Sequence, residues 1–290
     1  VSRPFSRVLN PDRPPTGDEL LADLVAFHEA NPAITEATLG GFTTAEGKTG
    51  YDLLVEALPP SARSVLDLGS GNGPLTRRLS ALPSLTSIVA LDACAADLEL
   101  ARRSLDDPRV RFVCEPAQRL SLPDRSLDAA LSHHAFYLFQ PLDPVIAALA
   151  RCLRPGGLFA FVTSSPRSDQ YAPFWPMMQA MNEVVRPHNP HFTGWMDPRL
   201  RTVEGMSALF CPATGFQGPL GLDLFELEIR EPAGQLCDRM LAFFYTASLL
   251  PPAARLVLRR RWLALLEATA GPDGAARLVF PSALVSVRAG

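Results

Sequence analysis

Lysine is almost missing from this chain. Lys48 is the single one, the remaining basic residues are arginines, and the formal net charge is only −3. An extended nucleic-acid groove needs a concentrated positive face, so tRNA, rRNA and DNA are not expected as substrates. The triplet Arg259-Arg260-Arg261 reads as a solvated helix face. Paired cysteines are missing as well. Cys94, Cys114, Cys152, Cys211 and Cys237 lie far apart with no C-x-x-C, so neither a disulfide framework nor a zinc site is indicated, and no bound metal is expected. No run approaches the ~20 apolar residues of a membrane span, and the first residues lack the apolar stretch of a signal peptide. Membrane insertion is not expected, and the cytoplasm is the expected compartment. No internal repeat is visible.

What is present is a globular composition, 47% hydrophobic and 20% charged, long enough for one large α/β domain or for a domain with a substantial insertion. It is organised around Val65-Leu66-Asp67-Leu68-Gly69-Ser70-Gly71-Asn72-Gly73. Val65, Leu66 and Leu68 suit a parallel strand buried on both faces. Gly69, Gly71 and Gly73 make a turn without β-carbons that a ligand can approach closely. Pro74 then opens a helix. The spacing G-x-G-x-G differs from the dinucleotide fingerprint G-x-G-x-x-G. Asp92 ends the next apolar run and is placed to accept hydrogen bonds from both hydroxyls of an adenosine ribose. Asp67, inside the first strand, repels phosphate and attracts an ammonium. The loop is therefore suited to a nucleoside that carries an amino acid.

These residues resemble the first motif of the class I S-adenosylmethionine-dependent methyltransferases, especially the small-molecule branch with the ubiquinone and menaquinone methyltransferase-like enzymes. The resemblance runs from about Tyr51 to Thr163, and the turn Leu153-Arg154-Pro155-Gly156-Gly157 into a fifth strand is a further mark of it. It implies a Rossmann-like α/β fold: a seven-stranded, mostly parallel sheet with helices on both faces and a helical insertion between strands five and six. It also implies S-adenosyl-L-methionine as cofactor, contacted by Asp67, Gly69, Ser70, Gly71, Asn72, Asp92, Ala93 and Ser132. Glu115-Pro116-Ala117-Gln118 falls where the family commonly has Gly-Asp-Ala-Glu. Pro116 stands in the Asp position, so the adenine contacts are expected from Ala117 and Gln118.

The chain divides into an arm and cap helices over 1–50, the cofactor-binding core over 51–165, a substrate-facing insertion over 166–215 and completing strands and helices over 216–290. The arm, 1–18, should be irregular. A helix from Gly17 ends before Asn31-Pro32, with His28 on its surface, and a second spans Lys48 to Leu58; both are candidates for a lid. The fourth strand ends in Ser132-His133-His134-Ala135-Phe136-Tyr137, at the sheet edge where open α/β folds bind ligands. The insertion clusters aromatics and prolines, which suits an enclosed apolar pocket. His133, His134, Tyr137, Tyr171 and His191, with His188 beside it, are the possible bases or orienters. A strand near Leu222 to Ile229, a helix from Ala233 to Leu249 and a last strand from Arg277 to Val287, bent at Pro281, follow.

The expected activity is in-line methyl transfer to a small molecule, with secondary metabolism the expected setting. Two other readings stand beside it. In one, the enzyme cyclises the cofactor on itself, making an azetidine-2-carboxylate type product and releasing methylthioadenosine; in the other, the protein binds the cofactor without chemistry.

Overall fold

The computed structural model describes residues 12–290. Most of the expected irregular arm, residues 1–11, lies outside the described residues. Seven strands, β1 (Ser64–Leu68), β2 (Ser87–Asp92), β3 (Val110–Cys114), β4 (Leu127–His133), β5 (Leu153–Ser164), β6 (Phe216–Pro232) and β7 (Ala275–Ala289), form one sheet in the order β3-β2-β1-β4-β5-β7-β6. The first five pair in parallel, and β7 runs antiparallel to both β5 and β6. This is the expected Rossmann-like arrangement.

Strand periodicity sends alternate residues of β1 to opposite layers. Leu66 and Leu68 join Ile146 and Leu149 of the helix Leu142–Cys152 on one face. Val65 meets Leu54, Leu75 and Leu79 on the other, from the helices Gly50–Glu56 and Pro74–Ser80. Each of these side chains is fully or almost fully buried, worth roughly 1.5–3 kcal/mol apiece. The first helix, α1 (Gly17–Ala30), begins with a capping box in which Thr16 and Glu19 satisfy each other's backbone amides.

A second core lies beyond the end of β5. There the long hairpin of β6 and β7 carries Leu227, Ile229, Leu278 and Phe280 out to meet the helices Phe174–Val185, Ala233–Phe243 and Pro252–Glu267. Trp262 is fully buried at its centre and donates its indole N–H to the Met177 carbonyl at 2.7 Å. So the insertion after β5 supplies only part of this layer, and the segment between β6 and β7 supplies the rest. Arg259 and Arg261 lie outside it and pair with Asp238 and Glu183, as a solvated helix face should.

Three local expectations change. The helix expected over 233–249 breaks at Phe244 (φ −78, ψ 100), because Phe243 packs edge-on against Phe280 while Phe244 turns to Trp262 and Tyr245 turns to Phe27 of α1. A short helix, Ile34–Leu39, follows the Asn31-Pro32 break and was not anticipated. Pro281 sits inside β7, paired with Glu226, without ending it. Its carbonyl accepts from the Ser165 amide just past the end of β5, so the missing N–H faces a side where no strand remains to be paired.

Candidate functional site

The glycine loop joins β1 to the helix Pro74–Ser80, and all three of its glycines have positive φ. Their surroundings differ. A β-carbon on Gly69 would lie 2.5 Å from that of Ala135 and 3.0 Å from Phe139, whereas one on Gly71 would meet nothing within 4 Å. Gly69 lets the chain pack; Gly71 keeps a space open. The amides of Gly69 and Ser70 both donate to the Leu91 carbonyl, which folds the loop over the end of β2. Asp92, at that end, accepts from the Gly71 amide at 2.8 Å and the Cys94 amide at 2.9 Å. The buried Asp67 accepts from the Thr76 hydroxyl at 2.6 Å. Burial raises the Asp67 carboxyl to about 7, with the Asp92 charge adding to the rise, and burial also raises that of Asp92. The Ser70 hydroxyl is buried without a partner.

These residues form the floor of a cleft that Asn72, Ala93, Ala117 and Gln118 also line. Gln118 donates its amide N–H to the Gln140 carbonyl at 3.0 Å, leaving Oε1 buried with no partner. The roof comes from α1 through Leu21, Leu24, Val25 and His28, and from the next helix through Thr35 and Glu36. The wall is the tip of β4. In a regular strand adjacent side chains face opposite ways, but His134 has φ +48, which re-aims its ring so that both histidines line the cleft. The two rings meet edge to face at 4.8 Å. Tyr51 packs on His133 at 3.7 Å, donates to Glu36 and lies under the Arg78 guanidinium, tying roof to wall. None of the four imidazole nitrogens has a hydrogen-bond partner. Burial holds both histidines below their ordinary pKa, His134 at about 4, so both are neutral at physiological pH.

A second cavity of about 840 Å³ lies behind this wall. Leu138 and Tyr245 line both spaces. Its walls are apolar and largely aromatic, with Phe174, Trp175, Met178, Trp195 and Phe280 among them, and its rim carries Asp169, Arg186 and Arg201.

Four expectations for single residues change here. Tyr171 lines neither cavity and hydrogen-bonds Glu226. His191 and its neighbour His188 are exposed on the loop after the helix Phe174–Val185 and line neither cavity. Ser132 does not face the cleft, since its hydroxyl is spent on the Leu68 carbonyl at 2.8 Å, bracing β4 against β1. Tyr137, expected as a base or orienter, lines the second cavity and not the cleft, a placement that leaves that expectation standing. His28 is no surface residue: its ring bridges Asp97 and Tyr245, at 3.1 and 2.9 Å. Of the residues that sequence reasoning missed, Asp97 had a signal, an acidic side chain in the first turn of the helix after β2; Tyr245 and His28 had none.

Residues 66–161 match the family described as Methyltransferase domain. The core of this chain has the S-adenosylmethionine-dependent methyltransferase fold. A polyamine aminopropyltransferase of Mycobacterium tuberculosis is 33% identical over 170 residues, covering 49% of this chain and 32% of that protein. A fatty-acid O-methyltransferase of Mycolicibacterium smegmatis is 31% identical over 107 residues, 37% of this chain and 39% of that one. The chain thus spans a third to two-fifths of the curated relatives it matches. The crystal structure of the [4+2]-cyclase SpnF shares the fold, with a TM-score of 0.58 at 16% identity over 96% of this chain and 98% of that one. The reactions named for these proteins differ.

S-adenosylmethionine fits the residues of the cleft. The open space at Gly71, the unpartnered Ser70 hydroxyl and Gln118 Oε1, and the two carboxylates offer acceptors and room for a nucleoside bearing a cation.

Proposed function

We propose that this chain is an S-adenosylmethionine-dependent methyltransferase for a small molecule, with the cofactor in the glycine-loop cleft and the acceptor in the aromatic chamber behind it. The observation that carries the reading is the pair of carboxylates, Asp67 and Asp92, beside an open glycine loop. Two carboxylates this close disfavour phosphate and favour a cation. In this reading Asp92 takes the ribose hydroxyls, Asp67 the ammonium, and Ala117 with Gln118 the adenine edge. When bound, the cofactor would supply an electrophilic methyl group on a sulfonium. The chain's part is alignment and exclusion of water. The roof helices close the cleft, and the neutral His133 and His134 orient polar groups along the wall.

The chamber's size and aromatic walls suit a bulky apolar acceptor, as secondary metabolism supplies, and cytoplasmic action is part of the proposal. The test is calorimetry with S-adenosylmethionine, followed by incubation with and without a panel of aromatic phenols, amines and acids. Binding followed by acceptor-dependent methylation is expected. Absence of binding overturns the reading, and methylthioadenosine formed without any acceptor replaces it with the cyclising reaction.

A further inference from the structure

We propose that Asp97, His28 and Tyr245 form a proton relay facing both cavities, with Tyr245 the base that takes a proton from the methyl acceptor. The acceptor atom then carries a proton to lose, as in a phenol, an alcohol or an ammonium, and is not a carboxylate. This rests on the methyl-transfer reading above.

The three residues come from distant parts of the chain, with His28 and Tyr245 217 positions apart. Asp97 is buried near the start of the helix Ala95–Ser104, and its Oδ1 is fixed by the Ala33 amide at 2.6 Å. Its Oδ2 lies 3.1 Å from His28 Nδ1. A carboxylate only accepts, so in the neutral ring Nδ1 carries the hydrogen and Nε2 is left as an acceptor. The Tyr245 hydroxyl, 2.9 Å from Nε2, therefore donates its proton to His28. Tyr245 also lies beside Leu138 on the boundary between cleft and chamber.

The charged and titratable groups around Tyr245 are Asp92, Asp97, His28 and Tyr137, and Thr35 hydrogen-bonds its hydroxyl. Burial, then the two carboxylates, raise its phenol well above the ordinary value. A free tyrosinate does not form under those conditions, so the phenol proton must leave as a new one arrives. As the acceptor atom bonds the methyl carbon and the carbon–sulfur bond breaks, the acceptor's proton passes to Tyr245 Oη. The proton Tyr245 held passes to His28 Nε2, and Asp97 steadies the imidazolium. The His28 side chain retains 17% of its exposure, giving the proton a way out to solvent. Asp97 in this scheme is a positioning residue.

Long-range proton–nitrogen spectra of the full chain labelled with ¹⁵N-histidine test the arrangement without any acceptor. His28 should be the Nδ1–H tautomer with a hydrogen-bonded Nε2; Tyr245→Phe should remove the Nε2 shift, and Asp97→Asn the tautomer bias. An Nε2–H tautomer in the unmodified protein overturns the relay, because His28 would then be donating to Tyr245. Turnover is read with 2-naphthol and 2-naphthoate as matched probes. Naphthol should be methylated, and Tyr245→Phe should cut kcat about a hundredfold with KM within about threefold. Preference for naphthoate overturns the proposal. Calorimetry separates the two levels: if the unmodified protein does not bind S-adenosylmethionine, the methyl-transfer reading fails, whereas intact binding with the wrong tautomer sinks the relay alone.

Discussion

Cofactor affinity should fall as pH drops below 7, because Asp67 must be ionised to hold an ammonium. Burial, reinforced by Asp92, raises its carboxyl to about 7 despite the Thr76 hydroxyl that favours the ionised form. A bound cation pulls that value back down, so below pH 7 binding must first expel a proton. The apparent Kd then grows by a factor of one plus ten to the power of the difference between pKa and pH. That is about elevenfold at about pH 6 and about a hundredfold at about pH 5, roughly 1.4 kcal/mol per unit. Above about pH 8 the ligand's own α-amino group loses its proton, so affinity should peak near about pH 7.5. Calorimetry in two buffers of different ionisation enthalpy measures the proton directly: close to one released at about pH 6 and few at about pH 7.5. Asp67→Asn should bind weakly and show no such release. An affinity that is flat from about pH 5.5 to about 7.5 refutes the reasoning. The same shift has a stability consequence of known sign. The folded-state value lies above the ordinary carboxyl, so its stabilising contribution is present below about pH 4 and lost as pH rises through about 7. Ligand-free Asp67→Asn should therefore resist denaturant better than the unmodified protein at about pH 8, by on the order of 4 kcal/mol as an upper bound.

Two glycines of one loop should fail in different ways. Gly69→Ala forces a β-carbon against Ala135 and Phe139 and should lower folding stability by roughly 2–3 kcal/mol or more, read by chemical denaturation. Gly71→Ala meets open space and adds strain of about 1–2 kcal/mol, so its main effect should be loss of cofactor binding by calorimetry. Asp92→Ala removes the acceptor of the Gly71 and Cys94 amides as well as the proposed ribose contact; a drop in cofactor affinity of at least about a hundredfold is expected, and unchanged affinity counts against the assignment. Trp262→Phe leaves the Met177 carbonyl without its indole donor in the second core and should cost about 2–4 kcal/mol on denaturant titration.

What could be read from the chain alone was what neighbours in sequence decide together. The strand, the three glycines and Pro74 are contiguous, and Asp92 follows one strand later, so local pattern sufficed to place the cleft floor. Gln118 lines the same cleft with its Oε1 unpartnered, though its expected place rested on likeness to a family motif and not on local pattern. Tyr171 and His191 stand in a segment without periodic pattern, where only residue type speaks for a role. Nothing local says which way such side chains turn, and they turn away. His28 looked like an outward helix residue because an isolated amphipathic helix has a polar face, and only docking onto the helix after β2 makes that face internal.

The division has a physical cause that bears on function. The parallel strands bury both faces, so their sequence is constrained along its length and carries the motifs. The roof, the chamber and Tyr245 come from segments that acquire their faces by packing against one another: the short helix Ile34–Leu39 after α1, the insertion after β5, and the helices between β6 and β7. Tyr245 reaches both cavities because the helix expected over 233–249 breaks one residue before it, and that break is set by where Phe243 and Phe244 find partners. Acceptor chemistry should therefore respond to changes far from the glycine loop. A substitution such as Phe244→Ala, which removes the ring wedged between Phe174 and Trp262, should alter acceptor turnover more than cofactor affinity. Equal losses in both would mean that cleft and chamber do not divide the work as their separate linings imply.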